Sequence, residues 1–468
     1  MIEIEIAGAG AGKTYGLAEK LLHATKENPE SSKVIYALTY TNKAKIKISE
    51  TLINLHGLMP QHIQIETVHG FLLNEIIYPY SKYILDEIYT KAVSIPLNSK
   101  IELKQYQKNK LKGKQIIHNE DVFKKAKIIV DKDNTRHSKK AKIKVEFVIS
   151  HIMAATDKIF LDEVQDLDDD AFRIFEVLGI AGIPIYMIGD PKQAIKYPKA
   201  FDDFIIKCRR KNTKISSFLP INNYSRRIPK ELLIHSNRFC PTNQSQISLS
   251  NIKGKAYYIS SESLIYKDMI EQFIKDKYLV YIEEKEGIYK THKETKLYFP
   301  ISVEEKLKAN KEYAHLDSDL FIDSLLNKLT NLVQTHTKES VISNFAKCFK
   351  LSLERNEYAE LIQSLEKVIL TKNGILVSSI DAVKGLESER CVFILNKNTL
   401  NYFLQEKLNA NMLHNKIWKK IYVALTRSSH ELIFALDKDL LGEQNFVCLI
   451  AKFEKMEISN YMDTLTRY

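Results

Sequence analysis

Residues 7–14 read Ala-Gly-Ala-Gly-Ala-Gly-Lys-Thr, and this stretch decides how the rest of the sequence is interpreted. An alternating apolar run over residues 2–6 precedes it and predicts a short strand. Apolar residues at helical spacing over residues 17–22 follow it and predict a helix. The order of strand, glycine-rich loop, Gly-Lys-Thr and helix is that of a phosphate-binding P-loop.

The residue types in this loop suit a phosphate group. Glycines let successive backbone N–H groups point into one concavity at a helix N-terminus, where the helix dipole favours an anion. Lys13 can reach the β- and γ-phosphates, and Thr14 offers a hydroxyl to Mg²⁺. An alanine replaces the first glycine of the strict pattern, so an ordinary turn is an alternative for the loop alone, but the flanking strand and helix favour a nucleotide. The residues expected to surround the phosphates are Ala7, Gly8, Ala9, Gly10, Ala11, Gly12, Lys13 and Thr14.

Length and composition bound the kind of protein. A chain of 468 residues suggests about two to four domains. The sequence has no run of 18 apolar residues, so we expect no membrane span. A strand that begins at Ile2 leaves no room for a signal peptide, and we expect a cytoplasmic protein. Its five cysteines are scattered singly, which argues against a disulfide framework and against a zinc site.

The net charge of +11 is concentrated in one segment. Residues 100–144 carry 15 Lys or Arg against five Asp or Glu. The natural inference is a partner that is rich in phosphate. The alternative is a solvated lysine-rich surface without a partner.

Two adjacent carboxylates end a further predicted strand. Residues 158–161 are mostly apolar, and Asp162 and Glu163 follow them directly. At a strand tip downstream of a P-loop this is the Walker B pattern. Asp162 would hold Mg²⁺ through water, and Glu163 would orient or deprotonate the attacking water. The alternative is a charged turn before the helix that begins near Ala171.

Two segments interrupt the alternation of strands and helices. Residues 79–144 contain two weak helical patterns and many lysines, which indicates an inserted helical subdomain. Residues 300–370 also have helical periodicity, which indicates a second, small all-α insertion.

Taken together, the polar strand tips resemble the superfamily 1 DNA helicases of the UvrD/Rep/PcrA type. Any single block is a modest signal, but eight blocks in family order over nearly the whole chain leave chance a negligible explanation. The blocks are AGAGAGKT (7–14), TYTNKA (39–44), TVHGF (67–71), LDEVQD (161–166), GDPKQAI (189–195), NYSRR (223–227), SIDAVKGLE (379–387) and YVALTRS (422–428).

The resemblance implies an α/β protein of two RecA-like P-loop domains, each with a small, mainly helical inserted subdomain. Expected boundaries are 1–80 and 146–205 for RecA-like domain 1A, 81–145 for the basic subdomain 1B, 206–295 and 372–468 for RecA-like domain 2A, and 296–371 for a reduced helical subdomain 2B.

The resemblance also implies the roles of residues around ATP. Gln193 looks like the residue that senses the γ-phosphate, and Arg427, held by a helix near the predicted interface, looks like an arginine finger. The second finger is either Arg226 or Arg227, and we favour Arg227, which aligns on the helix that follows. Three further residues are expected on the nucleotide side, two as an aromatic pair around the base and one as an acid: Tyr15, Tyr224 and Glu387.

For DNA, the resemblance points to hydroxyl, amide and aromatic side chains at strand tips. Such groups suit phosphate contacts and sequence-tolerant base stacking. Tyr197 would supply the stacking ring, and Asp381 stands where the family commonly has a histidine, which puts that contact in doubt. His69 taken alone would more often be structural. The expected DNA-binding residues are Thr41, Asn42, Thr67, His69, Tyr197 and Ser379.

The resemblance therefore implies an ATP-dependent 3′→5′ DNA helicase or single-strand translocase driven by hydrolysis of Mg-ATP. The resemblance is strongest to the helicase subunit of Gabija-type antiphage defence systems, which act with a separate OLD-family nuclease. It rests on the compact size, the short 2B subdomain and the sequences of two motifs, IFLDEVQD (159–166) and GDPKQ (189–193). The alternative function is a nucleotide-switched, DNA-sensing subunit that activates a partner nuclease and unwinds little.

Overall fold

The computed structural model describes residues 1–27, 31–98, 100–134, 137–210, 216–291, 297–313, 318–333, 335–369, 374–405 and 414–465. In chain order its strands are β1 (Ile2–Ile6), β2 (Val34–Thr39), β3 (Ile63–Thr67), β4 (Lys91–Val93), β5 (Ile116–His118), β6 (Thr156–Leu161), β7 (Ile185–Gly189), β8 (Ser216–Phe218), β9 (Tyr224–Ser225), β10 (Ile247–Ser248), β11 (Lys255–Ser260), β12 (Leu279–Ile282), β13 (Tyr289–Thr291), β14 (Ile375–Ser379), β15 (Ser388–Leu395), β16 (Ser428–Leu436) and β17 (Ser459–Asn460).

The helices follow the same order, with one π-helical stretch, Leu72–Ile77, between the third and the fourth. They are α1 (Lys13–Glu27), α2 (Asn42–His56), α3 (Val68–Phe71), α4 (Tyr78–Leu85), α5 (Ile101–Gly113), α6 (Val122–Val130), α7 (Lys139–Ala155), α8 (Asp169–Ala181), α9 (Ala200–Arg210), α10 (Lys230–Asn237), α11 (Tyr266–Lys275), α12 (Ile301–Lys308), α13 (Ser318–Leu332), α14 (Lys338–Cys348), α15 (Arg355–Ile369), α16 (Ile380–Val383), α17 (Lys397–Leu404), α18 (Lys416–Leu425), α19 (Lys438–Leu441), α20 (Glu443–Lys455) and α21 (Met462–Leu465). Within the ranges that the structure describes, no helix has both the length and the apolar character needed to cross a bilayer.

The first sheet has the strand order β3-β2-β6-β7-β1-β8, and its strands are parallel. β2 is buried over almost its whole length, as expected for a parallel strand covered on both faces. Apolar cores lie on the two faces of this sheet, one of them built on the isoleucines of β1. Because the carboxyl ends of parallel strands share one edge, the turns after β1, β6 and β7 lie together. We call residues 1–77 and 156–218 the first lobe.

The second sheet is also parallel, with the order β13-β14-β12-β15-β16-β11-β17. Helices cover it on both faces, since one apolar core includes α18 and α20 and the other includes α11. We call residues 224–291 and 374–465 the second lobe. Two parallel sheets flanked by helices confirm the α/β fold class and fit RecA-like domains.

The two insertions are built differently. Residues 78–155 contain α4–α7 and a short parallel pair, β4 and β5, that the sequence patterns did not indicate. Many buried apolar side chains of this segment, among them Val122, Phe123 and Ile129, belong to the core of the first lobe. In the second insertion, residues 297–369, α12–α15 instead pack around a core of their own. Its central side chains include Val303, Leu307, Leu325, Leu329, Phe345 and Leu361.

Several sequence expectations need correction. β8 pairs with β1, so the first sheet extends past the expected boundary at 205/206, which falls inside α9. β8 was missed because Ser-Ser-Phe has little strand character. The boundary at 145/146 falls inside α7, and those at 295/296 and 371/372, like the terminal residue 468, lie outside the described residues. Residues 223–227 form β9 and a turn, and the helix that follows them begins only after Pro229.

Candidate functional site

The P-loop joins β1 to α1 at the cleft between the lobes. Gly10 and Gly12 have φ angles of 72° and 81°, in the left-handed region that glycine adopts without steric cost. The Gly8 N–H donates to Asn222 O at 3.1 Å, which fixes the start of the loop. Lys13 is the first residue of α1, and its Nζ lies 3.5 Å from Gly8 O. The loop therefore presents backbone N–H groups and one ammonium group at a helix N-terminus, a donor set that suits a nucleotide phosphate.

The carboxylate pair follows β6 at the same edge of the sheet. Asp162 is buried, and its Oδ1 accepts a hydrogen bond of 2.8 Å from the Glu163 N–H. Burial, followed by the charge of Glu163, raises the pKa of Asp162 to about 7. Burial opposes ionisation of Glu163 too, but the charges of Lys13 and Lys384 hold its pKa below the ordinary value. A buried carboxyl whose charge is this costly is one that a cation would stabilise.

Glu163 also has an unusual backbone. Its φ and ψ are 53° and 39°, a left-handed conformation that is uncommon outside glycine, asparagine and aspartate. The amide of Gln165 donates to Glu163 Oε2 and so contacts the carboxylate directly. The strained backbone of this turn therefore fixes the position of the Glu163 side chain, and such strain is typical of functional sites.

A third acid stands behind the turn after β7. Asp190 is fully buried, and its Oδ2 accepts from Gln193 Nε2 at 2.9 Å. Lys192 Nζ lies 2.9 Å from Asp190 Oδ1. Although burial works in the opposite direction, the charges of Lys192 and Lys13 hold the pKa of Asp190 below its usual value. The amide of Gln193 is thus oriented by a carboxylate that remains ionised.

Arg427 brings a buried cation from the second lobe to the cleft. It lies two residues after the end of α18, just beyond the helix that was expected to hold it. A carbonyl of that helix still contacts it, because the guanidinium, 3% exposed, donates to Val423 O at 2.9 Å and to Leu386 O at 3.0 Å. Burial, and then the charge of Arg227, lowers the pKa of Arg427 to about 10, while the carboxylate of Glu163 acts in the opposite direction. Arg427 therefore lies within electrostatic range of the Walker B acid.

Arg226 and Arg227 are placed differently. The Arg227 guanidinium forms an ion pair with Glu387 and donates to Thr426 O at 2.8 Å. The side chain of Arg226 is exposed, although its backbone N–H donates to Gly10 O at 2.9 Å. Despite burial, Arg227 and then Lys47 hold the pKa of Glu387 below its usual range.

Two ion pairs join the lobes beside these residues. Lys384 of the second lobe pairs with Asp166, which follows the Walker B turn. Lys47 Nζ of α2 lies 3.6 Å from Glu387 Oε1 across the same cleft. The charged groups of the two lobes are therefore in direct contact at the site.

The aromatic pair expected around the base has two exposed rings. Tyr15 in α1 is 46% exposed, and Tyr224 in β9 is 52% exposed. Both rings are accessible to a flat ligand, and their role in base binding stays a prediction.

Three hydroxyl side chains were expected to contact DNA, and in this structure each of them caps the N-terminus of a helix. Thr41, Thr67 and Ser379 each accept a hydrogen bond from the backbone N–H three residues on, at 3.2, 3.0 and 3.3 Å. Each marks a helix N-terminus at the carboxyl end of a strand, where backbone N–H groups favour phosphate. Asn42 is exposed in the first turn of α2.

His69 and Tyr197 are more enclosed than a surface DNA contact would be. The His69 ring packs 4.6 Å from Phe123 and 5.8 Å from Tyr40, between ring centroids. Burial, with a smaller contribution from Lys196, lowers the pKa of His69 to about 4, so its imidazole is neutral at pH 7. Tyr197 is half-buried, with Lys196 Nζ 5.2 Å from its ring centroid.

Four residues at the cleft were missed by sequence reasoning. Lys384 and Tyr422 stand inside quoted blocks, so the signal was present although they were given no role. Lys419 donates to Pro191 O at 2.9 Å, and a lysine eight residues before a motif arginine gives no pattern of its own. Gln246 reaches the P-loop from a segment without any recognised motif, so no sequence signal could have identified it.

The sequence of this chain is similar to those of several known proteins. Residues 2–199 match the AAA domain family AAA_19. The chain is 28% identical to the Gabija protein GajB of Bacillus cereus (strain VD045) over 289 residues, 59% of this chain and 54% of GajB. It is 24% identical to a probable DNA helicase II homolog of Mycoplasma capricolum subsp. capricolum over 328 residues, 58% of this chain and 45% of the homolog. The chain thus spans about half the length of these relatives.

A solved structure of the arterivirus nonstructural protein 10 helicase covers 92% of this chain and 59% of its own, with 10% identity and a TM-score of 0.34, which is too low to carry weight. The sequence similarities stand without it. The AAA domain match and the two relatives make this chain similar to superfamily 1 helicases.

Proposed function

We propose that this protein is an ATP-dependent DNA translocase and helicase that hydrolyses Mg-ATP between its lobes and moves 3′→5′ along single-stranded DNA. One observation carries the proposal. Ion pairs of Lys384 with Asp166 and of Lys47 with Glu387 bring the second lobe against the carboxylate turn of the first. The charges of Lys13 and of the buried Arg427 both act on Glu163 there. A base, a phosphate-binding lysine and a cation from the opposite lobe are the groups that phosphoryl transfer to water requires.

The roles follow from the chemistry of each side chain. Mg-ATP, when bound, supplies the phosphoryl group whose transfer to water drives the cycle. The Thr14 hydroxyl and the Asp162 carboxylate would hold the metal ion, and an ionised Glu163 would accept the proton of the attacking water. Lys13 and Arg427 would offset the charge of the transferring group. We assign Arg227, rather than Arg226, as the second arginine finger, because Arg227 pairs with Glu387 and donates to Thr426 O, whereas the Arg226 side chain is exposed.

For DNA, the helix N-termini at Thr41, Thr67 and Ser379 would contact backbone phosphates. The lysine-rich segment contributes less than its charge suggests, since part of that charge is neutralised locally: Lys108 pairs with Asp121 at 2.7 Å and Lys112 with Glu87 at 2.8 Å. We therefore assign the phosphate contacts of this segment to exposed lysines at the start of α7. These are Lys139, Lys140 and Lys142.

The test combines ATP hydrolysis with strand separation. We expect hydrolysis to rise at least about tenfold when single-stranded DNA is added. We also expect release of the labelled strand from a duplex with a 3′ tail, and little release from a matched duplex with a 5′ tail. Equal release from both would contradict the polarity, and hydrolysis that does not respond to DNA would contradict a DNA-driven motor.

The similarity to the Gabija protein GajB favours a second candidate function. In this alternative the protein is a nucleotide-switched DNA sensor that activates an OLD-family nuclease partner and unwinds little. Strong DNA-stimulated hydrolysis without strand release would favour the sensor. Stimulation of a purified OLD-family nuclease by this protein, lost in Glu163→Gln, would identify the partner. Efficient unwinding by the protein alone would favour the motor.

A further inference from the structure

Gln246 belongs to the second lobe, yet it lies against the P-loop of the first. Its Nε2 donates to Ala9 O at 2.8 Å. A Cβ atom placed on Gly8 would lie only 2.4 Å from the same Nε2, so the absence of a side chain at Gly8 is what admits Gln246. The Ala9 side chain is buried in the apolar core of the second lobe. The middle of the P-loop is therefore held by the opposite lobe as well as by its own.

Tyr422 extends this contact into a network. Its side chain is fully buried, and its hydroxyl lies 2.7 Å from Gln246 Oε1 and 3.2 Å from Asp190 Oδ2. The same hydroxyl oxygen accepts from the Ala9 N–H at 3.4 Å. The single hydroxyl hydrogen thus has two acceptors, one from each lobe. Both backbone polar groups of Ala9 are bonded to side chains of the second lobe.

The position of Gln246 is itself fixed by the second lobe. Its backbone N–H donates to Asn237 Oδ1 at 2.8 Å, and Asn237 Nδ2 donates back to Gln246 O at 2.9 Å. Asn237 is the last residue of α10, so a helix end holds the backbone in one place. A side chain carried on such a fixed backbone moves with its lobe.

The network leads to two residues with proposed roles in hydrolysis. Asp190 holds the amide of Gln193, the proposed γ-phosphate sensor. The Thr426 hydroxyl donates to Tyr422 O at 2.9 Å and accepts from Arg427 Nη2 at 3.0 Å. A change in the distance between the lobes at Gln246 would therefore shift the P-loop, the proposed sensor Gln193 and the proposed arginine finger Arg427 together.

We propose that Gln246 is a positioning residue that, through Tyr422, couples closure of the two lobes to the placement of the P-loop. The inference rests on the proposed function, because it concerns the same nucleotide site. Gln246 acts through Ala9 and does not contact the nucleotide. Its loss should lower kcat and leave nucleotide affinity nearly unchanged, since a shift of about 1 Å at a reacting group can cost about 10²-fold in rate.

The first experiment separates binding from turnover. In Gln246→Ala and Tyr422→Phe we expect kcat for DNA-stimulated ATP hydrolysis to fall about 10- to 100-fold, with the Kd of a fluorescent ATP analogue changed by less than about threefold. The double variant should be scarcely worse than either single variant, because both remove one coupled contact. Gln246→Glu keeps an acceptor for Tyr422 but loses the donor to Ala9, and it should be as impaired as Gln246→Ala.

Gln244→Ala is the matched control. This neighbouring amide accepts from Lys192 Nζ at 3.3 Å, and we expect its kcat to stay within about twofold of the wild type. A uniform loss of thermal stability in Gln246→Ala, with unchanged kcat, would mean that the residue is only structural and would overturn the proposal. So would equal losses of affinity and kcat.

Closure can be followed without turnover, because Trp418 is the only tryptophan. It is buried on α18 and lines a cavity of about 260 Å³ together with Ile6 and Asp202 of the first lobe. A non-hydrolysable ATP analogue should change Trp418 emission in the wild type and change it far less in Gln246→Ala. A wild type that hydrolyses no nucleotide would refute the proposed function, and the emission of Trp418 would then decide on Gln246 separately. An equal response in both proteins would overturn the coupling.

Discussion

The two lobes bury opposite charges at their common cleft. The first lobe encloses Asp162 and Asp190, whereas the second encloses Lys419 and Arg427. Isolated charges of either sign are costly to remove from water, so each set is acceptable only where the environment compensates it. Lys419 finds that compensation in carbonyl groups and the Asp202 carboxylate of the first lobe, and Arg427 in carbonyl groups of its own lobe. Asp190 is compensated by Lys192, so the comparison teaches that Asp162 is the buried charge left short of compensation.

The titration of the two sets differs in the same sense. The pKa of Asp162 is raised to about 7, so this carboxyl is only partly ionised near neutral pH. The pKa of Arg427 is lowered only to about 10, so the guanidinium stays charged there. The charge of Arg427 is thus constant near neutral pH, and the charge of Asp162 is the one that changes with pH.

The largest effect is expected from removing a reacting group of the acidic lobe. Glu163→Gln keeps the shape of the side chain but cannot accept a proton, and Lys13→Ala removes the ammonium group at the phosphates. We expect either change to lower ATP hydrolysis by about 10³-fold or more, as general-base and electrostatic losses do. Steady-state hydrolysis with saturating single-stranded DNA measures this.

Glu19→Gln on the exposed side of α1 is a control for the change of charge alone. It should leave hydrolysis unchanged. Hydrolysis at a near wild-type rate in either Glu163→Gln or Lys13→Ala would contradict the proposal that these residues form the ATP-hydrolysis site. The buried acids of the first lobe would then have no proposed role in catalysis.

The next effect concerns stability. The raised pKa of Asp162 means that the folded protein binds a proton more tightly than the unfolded chain, so the free energy of unfolding should fall as pH rises from about 4 to 7. Asp162→Asn removes the charge and should be more stable than the wild type at pH 7.5 without Mg²⁺, by about 2 to 4 kcal/mol. Urea unfolding at several pH values measures this. Equal pH dependence of the free energy of unfolding in the two proteins would show that the pKa of Asp162 is not raised.

A third prediction compares the neighbouring arginines of the basic lobe. Arg227 is ion-paired at the cleft, whereas the side chain of Arg226 is exposed. Arg227→Ala should lower kcat by about 10²-fold, less than the loss of a sole arginine finger because Arg427 remains, and Arg226→Ala by less than about threefold. Measured under the same conditions, each variant is the control for the other. The reverse order would move the finger to Arg226.

The smallest effect is expected for the nucleotide base. Aromatic rings stack on any base, so the pair formed by Tyr15 and Tyr224 should allow hydrolysis of ATP, GTP and CTP at rates within about threefold of one another. Tyr224→Ala should raise KM more than it lowers kcat, because it removes binding shared by the ground state and the transition state. A strict preference for ATP in the wild type would show that a hydrogen-bonding group reads adenine.

Local pattern predicted the first lobe well and the contacts between lobes poorly. The bounds of β2 and the P-loop between β1 and α1 follow from buried apolar runs and glycine spacing, which act over a few residues. The three-residue strand β8 has too little pattern to be recognised, and its place is decided by pairing with β1. The contact of Gln246 with Ala9 joins residues 237 positions apart, and no local rule specifies it.

The second insertion also serves as a connection. β13 and β14 are parallel neighbours, so the chain must return from the end of one to the start of the other, and α12–α15 provide that return. Parallel strands require a crossover of about a dozen residues or more. A single crossover helix would meet that requirement, so the pairing of β13 with β14 does not by itself need all four helices. A short turn between β13 and β14 cannot keep them parallel, so the second sheet would lose β13 as its edge strand. The need for a crossover therefore sets a lower limit on the length of such a chain.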